Sequence, residues 1–284
     1  MAVSEKLKSL VGEMPDPDSR GMYTENIDKQ KIDKAIARIA EGGRESVAGL
    51  IEMLGAPGSA ENVKPHYALH CLANHALATH DEKARRLLAE TLAEALGGDR
   101  PAHVKAFLCQ ELQWAGRKEA AAALGKLLLD EELVEPASMA LVAIRDGAAD
   151  EFRAALPAAR GKCRLNIIQS LGAIKDTASA AALRAALADP DVEVRIAAGW
   201  GLSRMGDADS ADALKKAAGA APGWERIQAT KHCFVLAETL AAAGKAKQSA
   251  GIYRYLMETR TDPKEAYIRQ AAQRALEVDK ERLV

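Results

Sequence analysis

Apolar residues recur at helical spacing along most of the chain. Ile167, Leu171 and Ile174 stand at i, i+4 and i+7, and Leu183 and Leu187 at i and i+4. Such spacings put side chains on one face of a helix. The pattern also repeats on a longer scale. When Cys163–Leu187 is placed over Val194–Ala218, Arg164 falls on Arg195, Leu171 on Leu202, Ile174 on Met205, Asp176 on Asp207 and Leu183 on Leu214, all at an offset of 31. The preceding stretch puts Leu141, Ile144 and Asp146 in the same roles at an offset of 30. Each unit reads as a helix, a short turn opened by an aspartate, and a second helix that the aspartate is suited to cap. A single hairpin of this kind cannot bury its apolar face, whereas a stack of them can.

Prolines mark the units. Pro65, Pro101, Pro136, Pro190, Pro222 and Pro263 are each expected just before or at the start of a helix, where the missing N–H costs nothing. Asp189 and Asp262 are the expected caps beside Pro190 and Pro263, with Glu265 placed to complete a capping box. The proline gaps are 36, 35, 54, 32 and 41 residues, and the long one hides a further start near Arg160–Gly161. The predicted hairpins are 28–55, 65–96, 101–133, 136–159, 161–188, 190–221 and 222–261, followed by a single closing helix from Pro263. The first 27 residues carry a short helix over Ser4–Val11 and then a Pro- and Asp-rich break, so they read as an arm leading into one repeat domain over 28–284. The fold class is therefore all-α, an α-solenoid of about seven antiparallel helix pairs.

Composition agrees and narrows the function. There are 59 alanines in 284 residues and only 4% aromatics, which suits closely packed helices rather than a β-sandwich. Lys plus Arg is 39 against 40 for Asp plus Glu, so there is no basic surplus for a phosphate backbone. No apolar run reaches the roughly 18–20 residues of a membrane span, and the charged start does not read as a signal peptide. A cytoplasmic location is the default expectation, with a secreted or periplasmic one left open. Cys71, Cys109, Cys163 and Cys233 are far apart with no CxxC pair, and read as buried free thiols.

The units DPDVEVRIAAGWGLSRMGDADSADALKKAA and GKCRLNIIQSLGAIKDTASAAALRAAL resemble HEAT-like repeats of the type found in bacterial phycobilin-lyase-related proteins, closely over 136–221 and more weakly over 28–135. The stretch VLAETLAAAGKAKQSAGIYRYLMETRTDP looks more like a tetratricopeptide repeat, with Ala237, Gly244, Ala250, Tyr253 and Pro263 near that family's characteristic positions. The resemblance implies a right-handed stack with second helices lining a concave face, and a binding scaffold more than any one chemistry. HEAT-like deoxyhypusine hydroxylases hold iron with His-Glu pairs, and this chain has no such dipeptide. HEAT-like alkylpurine DNA glycosylases use Trp, Asp and Arg in a basic groove. Trp114, Trp200 and Trp224 exist here, but the balanced charge does not supply the field.

Three groups of residues carry candidate chemistry. Trp224, Arg226, Tyr253, Tyr255 and Arg260 combine the residue types enriched at binding hot spots, and are the candidate partner-binding group; the alternative is that Trp224 and one tyrosine fill a gap in the stack. Four of the six histidines, His66, His70, His75 and His80, lie close together. His66 and His70, at i and i+4, are the weak candidates for a metal site, with His75 on the opposite side and no third ligand at a telling spacing. Arg164 and Arg195 read as a structural ladder to acids such as Asp176, Asp189 or Asp207, with a ligand-facing ladder as the alternative. The expectation is a non-catalytic scaffold without catalytic residues or a cofactor, binding a protein or peptide on the concave face. Two rivals stand beside it: a lyase-like or enzyme-accessory protein binding a small molecule or metal near His66, His70 and His103, and a DNA-groove protein.

Overall fold

The computed structural model describes residues 3–23 and 27–281, and every regular element among them is helical. The chain forms two compact units, Met1–Ala155 and Leu156–Val284, so the stretch read from sequence as one repeat domain is divided after Ala155.

The first unit opens with α1 (Glu5–Gly12), capped by the Ser4 hydroxyl, which accepts from the Leu7 N–H at 3.2 Å. Leu7, Leu10, Val11 and Met14 are buried, so this helix is packed into the unit rather than being a free arm. Four hairpins follow: α2 (Lys29–Glu41) with α3 (Gly43–Glu52), α4 (Ala60–Ala78) with α5 (Glu82–Leu96), α6 (Ala102–Ala115) with α7 (Lys118–Gly125), and α8 (Val134–Ile144) with α9 (Ala148–Ala155). Pro65 departs from expectation. It lies inside α4, buried, with the helix beginning at Ala60 after Ser59. Pro136, as expected, falls within the first turn of α8, the one place where a helix tolerates proline without losing a bond.

The second unit contains α10 (Gly161–Ala173) with α11 (Ala180–Ala186), α12 (Val192–Met205) with α13 (Ala211–Ala218), α14 (Trp224–Ala242) with α15 (Ala246–Thr259), and the closing α16 (Ala266–Glu281). The first helices α10, α12 and α14 lie against one another, whereas α11 and α13 barely touch. Small residues set the α10–α12 approach. A methyl group on Gly172 would come 2.7 Å from the Cα of Gly201, so the two backbones meet there.

The hairpin turns repeat one device. Lys175, Gly206 and Gly244 are left-handed, with φ of 57°, 71° and 76°. The N–H of the next residue then reaches back to the last turn of the first helix: Asp176 to Leu171 at 3.0 Å, Asp207 to Leu202 at 3.1 Å and Lys245 to Leu240 at 2.8 Å. This is the Schellman closure, which satisfies carbonyls that the helix end leaves open. The turn aspartates act differently from expectation. Asp207 makes no side-chain cap and instead accepts from Arg184 at 2.6 Å, while Asp176 accepts from the Ser179 hydroxyl. The cap of α12 is Asp191 rather than Asp189. Asp262 does cap at Lys264, but Glu265 completes no box because its carboxylate is taken by Arg226.

Candidate functional site

Arginines fasten the second unit at a regular interval. Arg164, Arg195 and Arg226 are spaced 31 residues apart on successive first helices. Arg164 Nε donates to Asp189 at 2.7 Å. Arg195 forks onto Glu225 at 2.6 and 2.8 Å, and Arg226 Nη2 contacts both oxygens of Glu265 at 2.7 and 2.9 Å. Each acid lies at the beginning of the next first helix, so every rung ties one hairpin to the next. Arg195 and Arg226 also reach back to carbonyls that close the preceding hairpin, Asp189 at 2.8 Å and Ala220 at 2.9 Å. Arg269 does the same, donating to the carbonyl of Arg260 and, at 3.1 Å, to that of Asp262. Of the three acids expected on the ladder, Asp189 takes Arg164, whereas Asp207 serves Arg184.

The five sequence-predicted binding residues therefore have different situations. Arg226 is a rung of this ladder. Arg260 is only 1% exposed and donates to the Ala218 carbonyl at 2.5 Å and to the hydroxyls of Thr230 and Thr259 at 3.1 Å each. Tyr253 is buried in the core of this unit with Leu236, Leu240 and Leu256, and the Tyr255 hydroxyl donates to the Lys215 carbonyl at 2.6 Å. Trp224 alone is presented to solvent, at 56% exposure. The second unit exposes two further large side chains absent from the sequence-derived group. Ile227, one turn along α14, is 51% exposed, and Tyr267, at the start of α16, is 67% exposed. The Arg226–Glu265 pair holds the two helix starts together, two residues from Trp224 on one side and two from Tyr267 on the other. Position in the repeat was the available signal for Tyr267: it precedes Arg269 by two residues, as Trp224 precedes Arg226.

A cavity of about 490 Å³ lies in the same unit, walled by α12, α13 and α14 with the end of α11. Leu214, Ala217, Ile196 and Ala229 give it apolar walls; Arg184, Arg195 and Lys216 are its cations. His232 forms part of the wall and is 5% exposed. Its ring packs on Gly199, where an added methyl group would come 2.8 Å from Nδ1. Burial, reinforced by the nearby Lys231 charge, lowers the His232 pKa to about 4, so the ring is neutral at neutral pH.

The histidine candidates belong to the first unit. His66 stacks on Phe107 with centroids 3.6 Å apart. His70 Nδ1 meets the two Glu111 oxygens at 3.1 and 3.2 Å, and Asn74 contacts its Nε2 at 3.1 Å. Glu111 is fully buried, and that burial raises its pKa against the pull of His70. Sequence reasoning missed Glu111, although it stands four residues after Phe107 and one before Leu112, an acid on an apolar stripe. Among the described residues, no three His, Cys, Asp or Glu side chains gather as a metal-holding group. The four cysteines are free thiols, and burial pushes Cys109 and Cys233 up to about 12, beyond the range of a reactive thiolate. No described helix is long and apolar enough to cross a membrane.

Comparison with known proteins accords with this geometry. The karyopherin Kap121p, solved bound to the extreme C-terminus of the protein phosphatase Cdc14p, aligns with a TM-score of 0.54 and 11% identity. The alignment covers 96% of this chain and 35% of the karyopherin, so the chain spans about a third of that protein's length. The CpcE–CpcF phycocyanin lyase of Nostoc sp. PCC7120 aligns at a TM-score of 0.38 and 18% identity, over 87% of this chain and 92% of the other. A designed armadillo repeat protein in complex with a (KR)4 peptide aligns at 0.32 and 19%, over 96% and 100%. No curated protein matches the chain in sequence. Residues 149–233 match the HEAT repeats family, and with the stacked hairpins of both units this makes the chain a HEAT-like helical-repeat protein.

Proposed function

We propose that the protein is a non-catalytic scaffold that binds a protein or peptide partner through the ends of α14 and α16. One observation carries this reading: Trp224, Ile227 and Tyr267 are each more than half exposed at the starts of α14 and α16, which the Arg226–Glu265 ion pair links, in a chain with only 4% aromatic residues. Large apolar side chains cost solubility when left in water, and Trp and Tyr contribute most of the energy at protein interfaces. The Arg226–Glu265 pair fixes the backbone beneath them, so little ordering entropy remains to be lost on binding. The karyopherin stack, which holds a protein's C-terminal end, supports the suitability of such a fold for an extended segment. This proposed site, at the starts of first helices in the second unit, differs from the sequence expectation of a concave face lined by second helices.

A nucleic-acid partner fits less well. Arg164, Arg184, Arg195 and Arg226 are each paired with a carboxylate, so they offer no uncompensated positive stripe. The test is capture of partners from a lysate of the native host by the tagged chain, beside Trp224→Ala/Tyr267→Ala. A near-stoichiometric protein lost in the double variant, with thermal unfolding unchanged, supports the reading. A partner retained by the variant refutes the face, and the absence of any protein partner refutes the scaffold role.

A further inference from the structure

We propose that the cavity of the second unit is a binding site for a small organic acid, with an apolar body among Leu214, Ala217 and Ile196, a hydroxyl or carbonyl oxygen at His232, and a carboxylate at Lys216. This site is distinct from the Trp224 surface and does not depend on a protein partner.

The repeat shows how a polar ring comes to line this cavity. At an offset of 31, Gly199 stands where the previous unit has Ile168, which is fully buried and fills its position. His232 stands where the previous unit has Gly201. The ring takes up the room that glycine gives, since a methyl group on Gly199 would meet His232 Nδ1 at 2.8 Å and Leu214 Cδ2 at 3.1 Å, and the cavity of about 490 Å³ that both residues line is within the size range of small-molecule sites. Such a volume admits a ligand of roughly ten to twenty non-hydrogen atoms.

The polar groups select the ligand. His232 is 5% exposed, lines the cavity and makes no hydrogen bond to any described residue, so its ring is left to pair with whatever occupies the cavity. A polar group without a protein partner favours an occupant that pairs with it. Because the ring is neutral, it suits a hydroxyl or carbonyl rather than a second charge. The charged rim is unequal. Arg195 is neutralised by Glu225 and Arg184 by Asp207, leaving the exposed Lys216 as the cavity cation that pairs with no described carboxylate. One neutral hydrogen-bonding point inside and one cation at the mouth, separated by Leu214 and Ala217, describe a monoanionic acid with a polar substituent at the end away from its carboxylate.

The experiment is an NMR titration of the full 15N-labelled chain with three probes: 4-hydroxyphenylacetate, phenylacetate, and the uncharged 4-hydroxyphenethyl alcohol. The expected result is saturable binding of the hydroxy acid in the sub-millimolar range, with shifts centred on residues 184–232. Loss of the hydroxyl or of the carboxylate is expected to weaken binding about tenfold each. Lys216→Ala should bring the acid and the alcohol to equal affinity, while His232→Leu should remove the preference for the hydroxyl. Ala213→Trp, at an exposed lining position, closes the mouth without disturbing the core and should abolish the shifts with unfolding unchanged. Either of two outcomes overturns the proposal: no saturable shift with any probe up to about 10 mM, which leaves the cavity to solvent, or binding undiminished in Ala213→Trp.

Discussion

Gly201 and Gly251 lie within helices of the same unit, and replacing each by alanine should move stability in opposite directions. Alanine in a helix interior is better than glycine by about 0.5–1 kcal/mol, because the unfolded chain loses freedom. Gly251, in α15, has no neighbour within 4 Å of where its methyl group would stand, so that gain should appear undiminished. At Gly201 the same methyl group would lie 2.8 Å from Leu183 Cδ2 and 3.0 Å from the Cα of Gly172. Carbon atoms in contact prefer about 3.5–4.0 Å. Leu183 can turn part of the way aside, but Gly172 Cα is backbone and yields only if α10 and α12 separate. Overpacking of this kind costs about 1–3 kcal/mol. Gly251→Ala should therefore be stabilised by about 0.5–1 kcal/mol, and Gly201→Ala destabilised by about 0–2.5 kcal/mol. Their difference, from which helix propensity cancels, is the cost of separating the two backbones. Urea unfolding followed by circular dichroism measures both. If the two variants gain equally, the backbones of α10 and α12 are not in contact, and small residues do not set the spacing of the stack.

His232 gives the fold a pH dependence. Its folded pKa of about 4 is below the usual 6.5, so the unfolded chain takes up a proton that the fold excludes. The contribution is full above pH 6.5 and is lost as the pH falls toward 4, with about 3 kcal/mol at stake. Urea unfolding of the wild type and His232→Leu between pH 7 and 4 should show the variant losing less. Arg260→Ala strips a buried guanidinium from the Ala218 carbonyl and two threonines and should cost about 2–4 kcal/mol, whereas Trp224→Ala and Tyr267→Ala should stay within about 0.5 kcal/mol of wild type in thermal unfolding. Lys175→Gly should stabilise by up to about 1 kcal/mol in urea, because Lys175 holds a left-handed turn that the next unit assigns to Gly206. A double-mutant cycle on Arg226 and Glu265 should return a coupling of about 1 kcal/mol, since the pair is largely shielded from solvent; a coupling near zero would show the rung does no fastening.

The fold was legible because its signals are periodic. Hairpins, turns and the 31-residue offset follow from which face each residue must bury, and the pattern recurs often enough to be read from the chain alone. The ladder was half legible. Arg164 and Arg195 were recognised as equivalent, and one further step of 31 reaches Arg226, whose aromatic neighbours instead suggested a binding group. The acids could not be found that way. Asp189, Glu225 and Glu265 follow their arginines by 25, 30 and 39 residues, because the intervening helices differ in length. Pro65 misleads for a related reason: proline marks a helix start on average, but α4 already begins five residues earlier at Ala60, and packing holds it through the break. Glu111 and His70 are on different helices, 41 residues apart, and a contact at that separation leaves no trace in local spacing.

The repeat also supplies a criterion for separating structure from function. Positions occupied by the same residue type in successive hairpins serve the stack, since each hairpin must solve the same packing problem; the arginine rungs on α10, α12 and α14 are of this kind. Positions where one unit departs from the rest, without a packing reason, carry something the stack does not need. The row two residues before the rungs reads Lys162, Glu193, Trp224 and Tyr267, changing from charge to exposed aromatic where nothing in the stack asks for it. The rows through Ile168 and Gly199, and through Gly201 and His232, exchange a branched side chain for glycine and a close-packed glycine for a polar ring. A stack selected for stability alone has no need of an imidazole without a protein partner in the wall of a cavity, where an apolar side chain would fill volume. Gly199→Ala tests this directly. Any stability it gains in helix propensity should be offset by displacement of His232, and the loss of acid binding should exceed what one added methyl group removes in volume.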